Sequence, residues 1–294
     1  MDYTKPPSTK NKETPIDGIL NISKPKGITT MDVVRHIKIT SGQKRVGHGG
    51  TLDPMATGVV PICFGQATRM MEYLIEGTKE YVAQIELGVE TDTYDALGKI
   101  TEKRDASHIN LQVLQTMIKS FVGSIEQIPP MFSALKQNGK RLYELARAGV
   151  EVGRTPRKIE VLKIHLLNWS YPVVTLEISC GRGFYVRSLA HDLGLLLGCG
   201  GHLKSLVRSR SGPFKLSESM NFENFSIGFS DGSWHKSLHS TDIAVHNLKA
   251  IIVENRLGNM ICHGQPIPTE IHMSPLKPNE LCRAYSTNGT FLAI

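Results

Sequence analysis

Apolar positions along the chain change period several times, and each change marks an element. From Lys79 they alternate, with Tyr81, Ala83, Ile85 and Leu87 on one side and Val82, Gln84 and Glu86 on the other. That period of two predicts a strand with one buried face. Upstream, the short apolar run Gly18 to Ile22 predicts a strand leading into the turn Lys24-Pro25-Lys26-Gly27. Val33, Val34 and Ile37 then recur at helical spacing, predicting a helix that begins at Thr29 or Thr30 and stops at Gly42. A second helix is predicted over about Ala67 to Ile75, ending at Gly77. Asn110 is placed to cap a third, bearing Leu111, Leu114, Ile118 and Phe121 or Val122 and closing at Gly123. A strand pair, Ile159 to Asn168 and Val173 to Cys180, precedes a helix with Val186, Leu189, Ala190, Leu193 and Leu197 on one face.

Strands and helices mix without a regular βαβ alternation, so the pattern predicts an α+β fold rather than a doubly wound parallel sheet. Residues 1–15 are polar, without apolar period, and predict a mobile arm. After Phe214 the pattern weakens into a Ser-, Asn- and Gly-rich passage, of which 225–240 suggests no element. The tail offers β-like runs at Cys282 to Tyr285 and Phe291 to Ile294 around Asn288-Gly289, a hairpin-turn dipeptide. The expected organisation is an arm over 1–15, a main domain over 16–235 and a small β-rich domain over 236–294.

Composition narrows the class. Of 294 residues, 40% are hydrophobic and 21% charged, and no uncharged apolar run approaches the roughly 18 residues that span a bilayer. The net charge of +7 is unevenly spread: residues 131–215 hold 14 basic and 5 acidic side chains. Such a patch suits a polyanionic partner, although charge alone fits a solvated basic face equally well. Cys63, Cys180, Cys199, Cys262 and Cys282 form no C-x-x-C pair, and the polar start has no signal-peptide core, so reduced thiols in the cytoplasm are expected. No metal-ligand spacing is present.

Three passages could carry chemistry. Gly47-His48-Gly49-Gly50-Thr51-Leu52-Asp53-Pro54-Met55-Ala56-Thr57-Gly58 sets one carboxylate among four glycines, where backbone can approach a ligand closely. It lacks the spacing of a nucleotide-phosphate loop, and no serine-hydrolase elbow occurs. Cys180-Gly181-Arg182-Gly183-Phe184-Tyr185-Val186-Arg187 puts Arg187 in the first turn of a helix. The macrodipole disfavours a cation there, so stability gives no reason for it, whereas a functional anion would. The third passage, 128–147, interleaves aromatics with Lys and Arg, as suits stacking on bases and neutralising phosphates, or equally a basic surface helix. Glu90, Asp92 and Asp95 lack calcium-loop spacing and read as a solvated turn.

Together these passages resemble the bacterial tRNA pseudouridine synthase B family. The likeness runs from about Ile16 to Phe214 through five ordered motifs: GHGGTLDPMATGVV, KEYVAQIELGVETDTYDALG, QIPPMFSALKQNGKRLYELARAG, CGRGFYVRSLAHDLGLLLG and HLKSLVRSRSGPF. It implies a pseudouridine synthase fold, a mixed and mostly antiparallel sheet flanked by helices, with a small PUA-like C-terminal domain that here stops early, at Ile294. It implies Asp53 as catalytic aspartate, Tyr81 as active-site tyrosine and Arg187 as the arginine that pairs with the aspartate. His48 corresponds to the histidine that displaces the flipped nucleotide, and Tyr185 and Leu206 to the uracil pocket. Lys136, Lys140, Arg141 and Arg147 fall in an RNA-binding thumb over about 128–155, and Lys24 is expected to contact RNA as well.

The implied activity is isomerisation of uridine 55 in the tRNA T-loop. One carboxylate suffices for it, through attack at C1′, addition at C6 or elimination, and no metal or cofactor is needed. The target base must be extruded from tRNA, at a cost of a few kcal/mol. A monomer that binds the T-arm without an obligatory protein partner or a membrane is expected. Two other readings stay open: a non-catalytic tRNA-folding chaperone, and a guide-RNA-dependent enzyme acting on ribosomal RNA.

Overall fold

The computed structural model describes residues 15–267 and 279–294; the greater part of the arm lies outside them. In chain order the strands are β1 (Gly18–Lys24), β2 (Val46–His48), β3 (Thr57–Phe64), β4 (Lys79–Leu87), β5 (Val89–Thr91), β6 (Ile100–Lys103), β7 (Gly123–Gln127), β8 (Lys136–Gln137), β9 (Lys140–Arg141), β10 (Arg157–Ser170), β11 (Val173–Cys180), β12 (Gly201–Ser211), β13 (Phe214–Lys215), β14 (Met220–Asn221), β15 (Leu238–His239), β16 (Lys249–Val253), β17 (Cys282–Ser286) and β18 (Phe291–Ala293). The α-helices are α1 (Thr30–Ser41), α2 (Met71–Glu76), α3 (Leu111–Lys119), α4 (Leu142–Arg147), α5 (Val186–Leu196), α6 (Phe225–Asp231) and α7 (Asn255–Cys262).

One large sheet in the order β14-β1-β3-β12-β4-β11-β10-β7 forms the scaffold. Its pairs are antiparallel except β1 with β14 and β3 with β12, which are parallel. This is the mixed, mostly antiparallel sheet that the family resemblance implies. The main core lies between the sheet and its helices, with Leu20, Ile22, Val60, Ile62, Ala83, Ile85, Leu176 and Ile178 from strands meeting Val33, Ile37, Leu114, Leu189 and Leu193 from helices.

Local signals set most boundaries. Thr29 caps α1 in a reciprocal box with Asp32, and Gly42 ends it in the left-handed conformation, φ 64°. Asn110 caps α3 through the Val113 N–H at 3.0 Å. The predicted second helix is partly 3₁₀: residues Gly65–Met70 form a tight 3₁₀ turn, and regular helix begins only at Met71.

The Ser-rich passage is more ordered than its composition suggests. It holds α6 and buries Phe225 and Trp234, and α6 meets α1 through a His36–Ser226 hydrogen bond of 2.9 Å. The tail runs form a hairpin, β17 with β18, and β16 adds a third strand parallel to β17 over a small core of Ile251, Val253 and Ala284. Helix α7, which the sequence does not predict, packs Leu257 and Ile261 against that core.

Candidate active site

Residues 47–58 link β2 to β3, and the carbonyls of 50–54 all have donors. Arg208 on β12 takes Gly50 and Thr51, at 3.2 and 2.9 Å. The Thr30 hydroxyl at the start of α1 donates to Leu52 O at 3.1 Å and accepts from Leu52 N at 2.9 Å. Asp53 O accepts from Ala56 N at 3.0 Å, and Pro54 O from Gly27 N at 2.8 Å. A loop whose backbone acceptors are satisfied by three separate elements has one conformation available to it.

Three of the four glycines of this stretch, Gly47, Gly49 and Gly58, admit the protein itself rather than a ligand. A Cβ on Gly47 would meet Met71 Sδ at 2.5 Å, one on Gly49 would meet Leu74 Cδ1 at 2.7 Å, and one on Gly58 would meet Arg208 O at 2.3 Å. Helix α2 and strand β12 therefore press directly on the loop.

From this loop the Asp53 side chain, 31% exposed, meets Arg187, 6% exposed. Nη2 donates to Oδ1 at 3.0 Å, and Nε lies 2.8 Å from Oδ2 as an ion-pair contact outside hydrogen-bond geometry. Arg187 occupies the first turn of α5 as expected, and it is buried. Its Nη2 also donates to Phe132 O at 3.0 Å, and its Nη1 lies 3.8 Å from Asp95 Oδ2.

Asp95 corrects the reading of the acidic stretch as solvated. It is 6% exposed, its Oδ1 accepts from the Thr93 hydroxyl and Leu97 N at 2.7 and 3.0 Å, and it sits behind the guanidinium. Glu90 and Asp92 keep local roles, pairing with Arg104 and accepting from Lys99 N, both at 2.8 Å.

Tyr81 on β4 faces Arg208 across the antiparallel β4–β12 pair, and Leu206 faces Ala83 two positions along, so Tyr81, Arg208 and Leu206 share one face of the sheet. Burial raises the Tyr81 phenol pKa; the Arg208 guanidinium opposes that rise and the charge of Asp53 adds to it. Burial likewise raises Tyr185, opposed by the Ser133 hydroxyl and Arg187 and assisted by Asp53. Both phenols thus lie within electrostatic reach of the same carboxylate. Tyr185 is pinned by its backbone, with Gln127 Oε1 accepting from Tyr185 N at 2.8 Å and Gln127 Nε2 donating to Tyr185 O at 3.0 Å. Leu206 is buried, 5% exposed, at the edge of the main core.

His48 ends β2. Its Nδ1 accepts from Gly50 N at 3.3 Å, which leaves the ring proton on Nε2. Burial and then Arg208 hold its pKa below the usual value against that hydrogen bond, so the ring is neutral.

Lys24 corrects the expectation of an RNA contact. Its side chain is fully buried, and Nζ donates to Pro25 O and Ile28 O at 2.8 Å and to Pro54 O at 3.4 Å. Burial brings it down to about 8, the charge of Asp53 opposing. It braces the residue after Asp53 and has no surface to offer a phosphate.

Lys136, Lys140, Arg141 and Arg147 are exposed on the insertion formed by β8, β9 and α4. Arg141 and Arg147 stack on Tyr143, at 5.8 and 5.5 Å from its ring centre. The root of the insertion is tied to α5 by Arg187 on Phe132 O and by the Ser188 hydroxyl on Ile128 O at 2.8 Å. Among the described residues no group of three or more His, Cys, Asp or Glu could hold a metal ion, and no helix is long and apolar enough to cross a membrane.

The chain as a whole has counterparts among known proteins. The model of the TruB family pseudouridylate synthase N-terminal domain matches residues 38–186, and that of the tRNA pseudouridylate synthase B C-terminal domain matches 187–251. The chain belongs to the TruB family of pseudouridylate synthases. It is 44% identical to tRNA pseudouridine synthase B of Dehalococcoides mccartyi over 95% of this chain and 92% of that protein. To the enzyme of the same name from Clostridium kluyveri it is 39% identical, over 95% of each. Among solved structures, a Cbf5-Nop10-Gar1 complex aligns with TM-score 0.71 and 26% identity, over 93% of this chain and 76% of that one. An H/ACA RNP bound to a substrate RNA containing 2′-deoxyuridine aligns with TM-score 0.71 and 25% identity, over the same shares. As a pseudouridylate synthase the chain is an isomerase.

Proposed function

We propose that this enzyme isomerises uridine 55 in the T-loop of tRNA to pseudouridine, with Asp53 as the catalytic carboxylate. The observation that carries the reading is the pairing of buried Arg187 with Asp53, which stands one-third exposed in a loop whose 50–54 carbonyls are all bonded. Isomerisation breaks the C1′–N1 bond, turns the uracil and forms C1′–C5, while C5 loses a proton and N1 gains one. A carboxylate held in one orientation can attack C1′ or C6, or take a proton in an elimination. Tyr81, with its phenol protonated, and Tyr185 and Leu206 flank the space that an extruded base would enter. His48, neutral and with its Nε2–H left as a donor, would take the space of the displaced nucleotide. The exposed cations of the insertion supply phosphate contacts, and its root on Arg187 ties binding to the reacting centre. The protein acts as a cytoplasmic monomer in this reading.

The experiment is release of tritium from a tRNA transcript carrying [5-³H]uridine, followed by nucleotide-resolution mapping of the product. The reading expects one mapped position, in the T-loop, with native protein alone, and no release by Asp53→Asn. Isomerisation elsewhere would overturn the site preference. A need for a second RNA or protein would favour the guide-dependent reading, to which the Cbf5 likeness lends weight, although at 26% identity against 39–44% for the tRNA enzymes. Release by native protein excludes a purely non-catalytic chaperone.

A further inference from the structure

We propose that Arg208 is the positioning residue of the active-site loop, setting where Asp53 stands without touching it; the role rests on the reaction assigned above. The Arg208 side chain is 1% exposed. Its Nε donates to Val59 O at 2.7 Å, Nη1 to Thr51 O at 2.9 Å and Nη2 to Gly50 O at 3.2 Å. The planar fork therefore bridges the two ends of the loop, one carbonyl on β3 after it and two just before Asp53.

A buried guanidinium bonded to three carbonyls and set against the Tyr81 phenol, with no carboxylate partner among the described residues, is a costly way to hold a sheet together. Desolvating the charge is expensive, and no carboxylate among the described residues forms an ion pair with it. An apolar side chain would fill the same space at lower cost. What only arginine supplies here is three donors in one rigid plane, matched to three acceptors on two stretches of chain, Gly50-Thr51 and Val59.

Two further features point the same way. Gly58, φ +105°, lets β3 approach so closely that a Cβ would stand 2.3 Å from Arg208 O and 2.9 Å from Arg208 N, which fixes the root of the side chain against the loop. Across β4, Arg208 faces Tyr81. One residue thus indexes both the carboxylate loop and the tyrosine, and an ångström of drift in either costs about 100-fold in rate.

The test compares native protein with Arg208→Lys and Arg208→Met. In tritium release at saturating tRNA, both variants are expected to lose about 100-fold or more in kcat, with KM within a few-fold of native. The thermal midpoint reports the fold. Hydrogen exchange of a 49–56 peptide, compared with one from β10 or β11, reports the loop without reference to activity: it should quicken in the first and not in the second. A lowered midpoint with kcat retained below it would overturn the proposal, as would unchanged exchange at 49–56. Should Arg208→Met not fold, Arg208→Lys decides; failure of both to fold would make Arg208 a residue of the sheet and also overturn it. No tritium release by native protein would count against the assigned reaction, while the exchange result still decides whether Arg208 braces the loop.

Discussion

The loop at 47–58 and the insertion at 128–155 approach the same arginine and are built in opposite ways. In the loop, the carbonyls of 50–54 are bonded, helix α2 and strand β12 press on the glycines, and Arg208 and Lys24, both buried, grip the backbone on either side of Asp53. In the insertion, the strands are two residues long, the helix six, and the cations stand in solvent. On the proposed function, the difference follows from what each would do. A reacting carboxylate loses its value when displaced by an ångström, whereas a lysine neutralises a phosphate over a range of positions. Arg187 joins the two regions, with Asp53 on one side of its guanidinium and Phe132 O on the other.

The contrast breaks most sharply at the loop. Asp53→Asn should lower tritium release by at least about 10⁴-fold, as loss of a group that meets the reacting atoms does, while filter binding of tRNA persists. Arg187→Lys keeps the charge but loses the planar guanidinium whose Nη2 meets Asp53 Oδ1 and Phe132 O together, which a point charge cannot reproduce. The single-turnover rate should drop by about 100-fold. Asp95→Asn keeps the shape behind Arg187 and removes one of its two carboxylates; a fall nearer tenfold, again read by single turnover, is expected.

Much of this geometry was legible in the sequence, and the parts that were not share a cause. The Asp53 loop, the strand carrying Tyr81 and the helix opening at Arg187 all follow from glycine content, alternation and helical spacing. Strands β3 and β12, which bring the loop to Tyr81, do not alternate. β3 is buried from Gly58 to Phe64 and reads as a continuous apolar run interrupted by Pro61, a residue that argues against a central strand. Pro61 has no N–H to donate, but its carbonyl still accepts from Gly49 N at 2.8 Å, just past the end of β2. β12 carries Lys204, Arg208 and Arg210, and only the fold shows that the middle one turns inward. Lys24, Asp95 and Arg208 are missed for one reason: charge on a sequence reads as solvent exposure, and the carbonyls or ions that allow its burial come from distant segments.

A milder effect is expected at the insertion. Replacing Lys140, Arg141 and Arg147 together with Gln should raise KM and lessen the steepness with which binding weakens in salt, by about one unit of log–log slope for each phosphate no longer neutralised. An equal loss in the single-turnover rate at saturating tRNA would show that the two regions are not separable. The root of the insertion should behave differently from its tip. Ser188→Ala, which frees Ile128 O, should slow turnover about as much as it weakens binding.

The smallest effect is on stability and tests whether the loop's environment is as dry as the distances imply. Burial lowers the pKa of His36, of His48 in the loop, where Arg208 adds to it, and of His191 on α5, each from an ordinary 6.5. Above pH 6.5 these groups are neutral in both states; as pH falls, the unfolded chain takes up the protons first, so stability is lost from pH 6.5 downward through the folded pKa values. Asp192, pushed by burial up to about 6 from 3.8, acts in the opposite sense, because there the folded chain is protonated first as pH falls. The urea midpoint should therefore fall by roughly a few tenths of a molar between pH 7 and 5. Asp192→Asn should steepen that fall by removing the opposing group, and His48→Gln should flatten it. A His48→Gln protein with the native pH slope would mean that water reaches the loop in the free enzyme, and the rigidity argued for it would then rest on the carbonyl bonds alone.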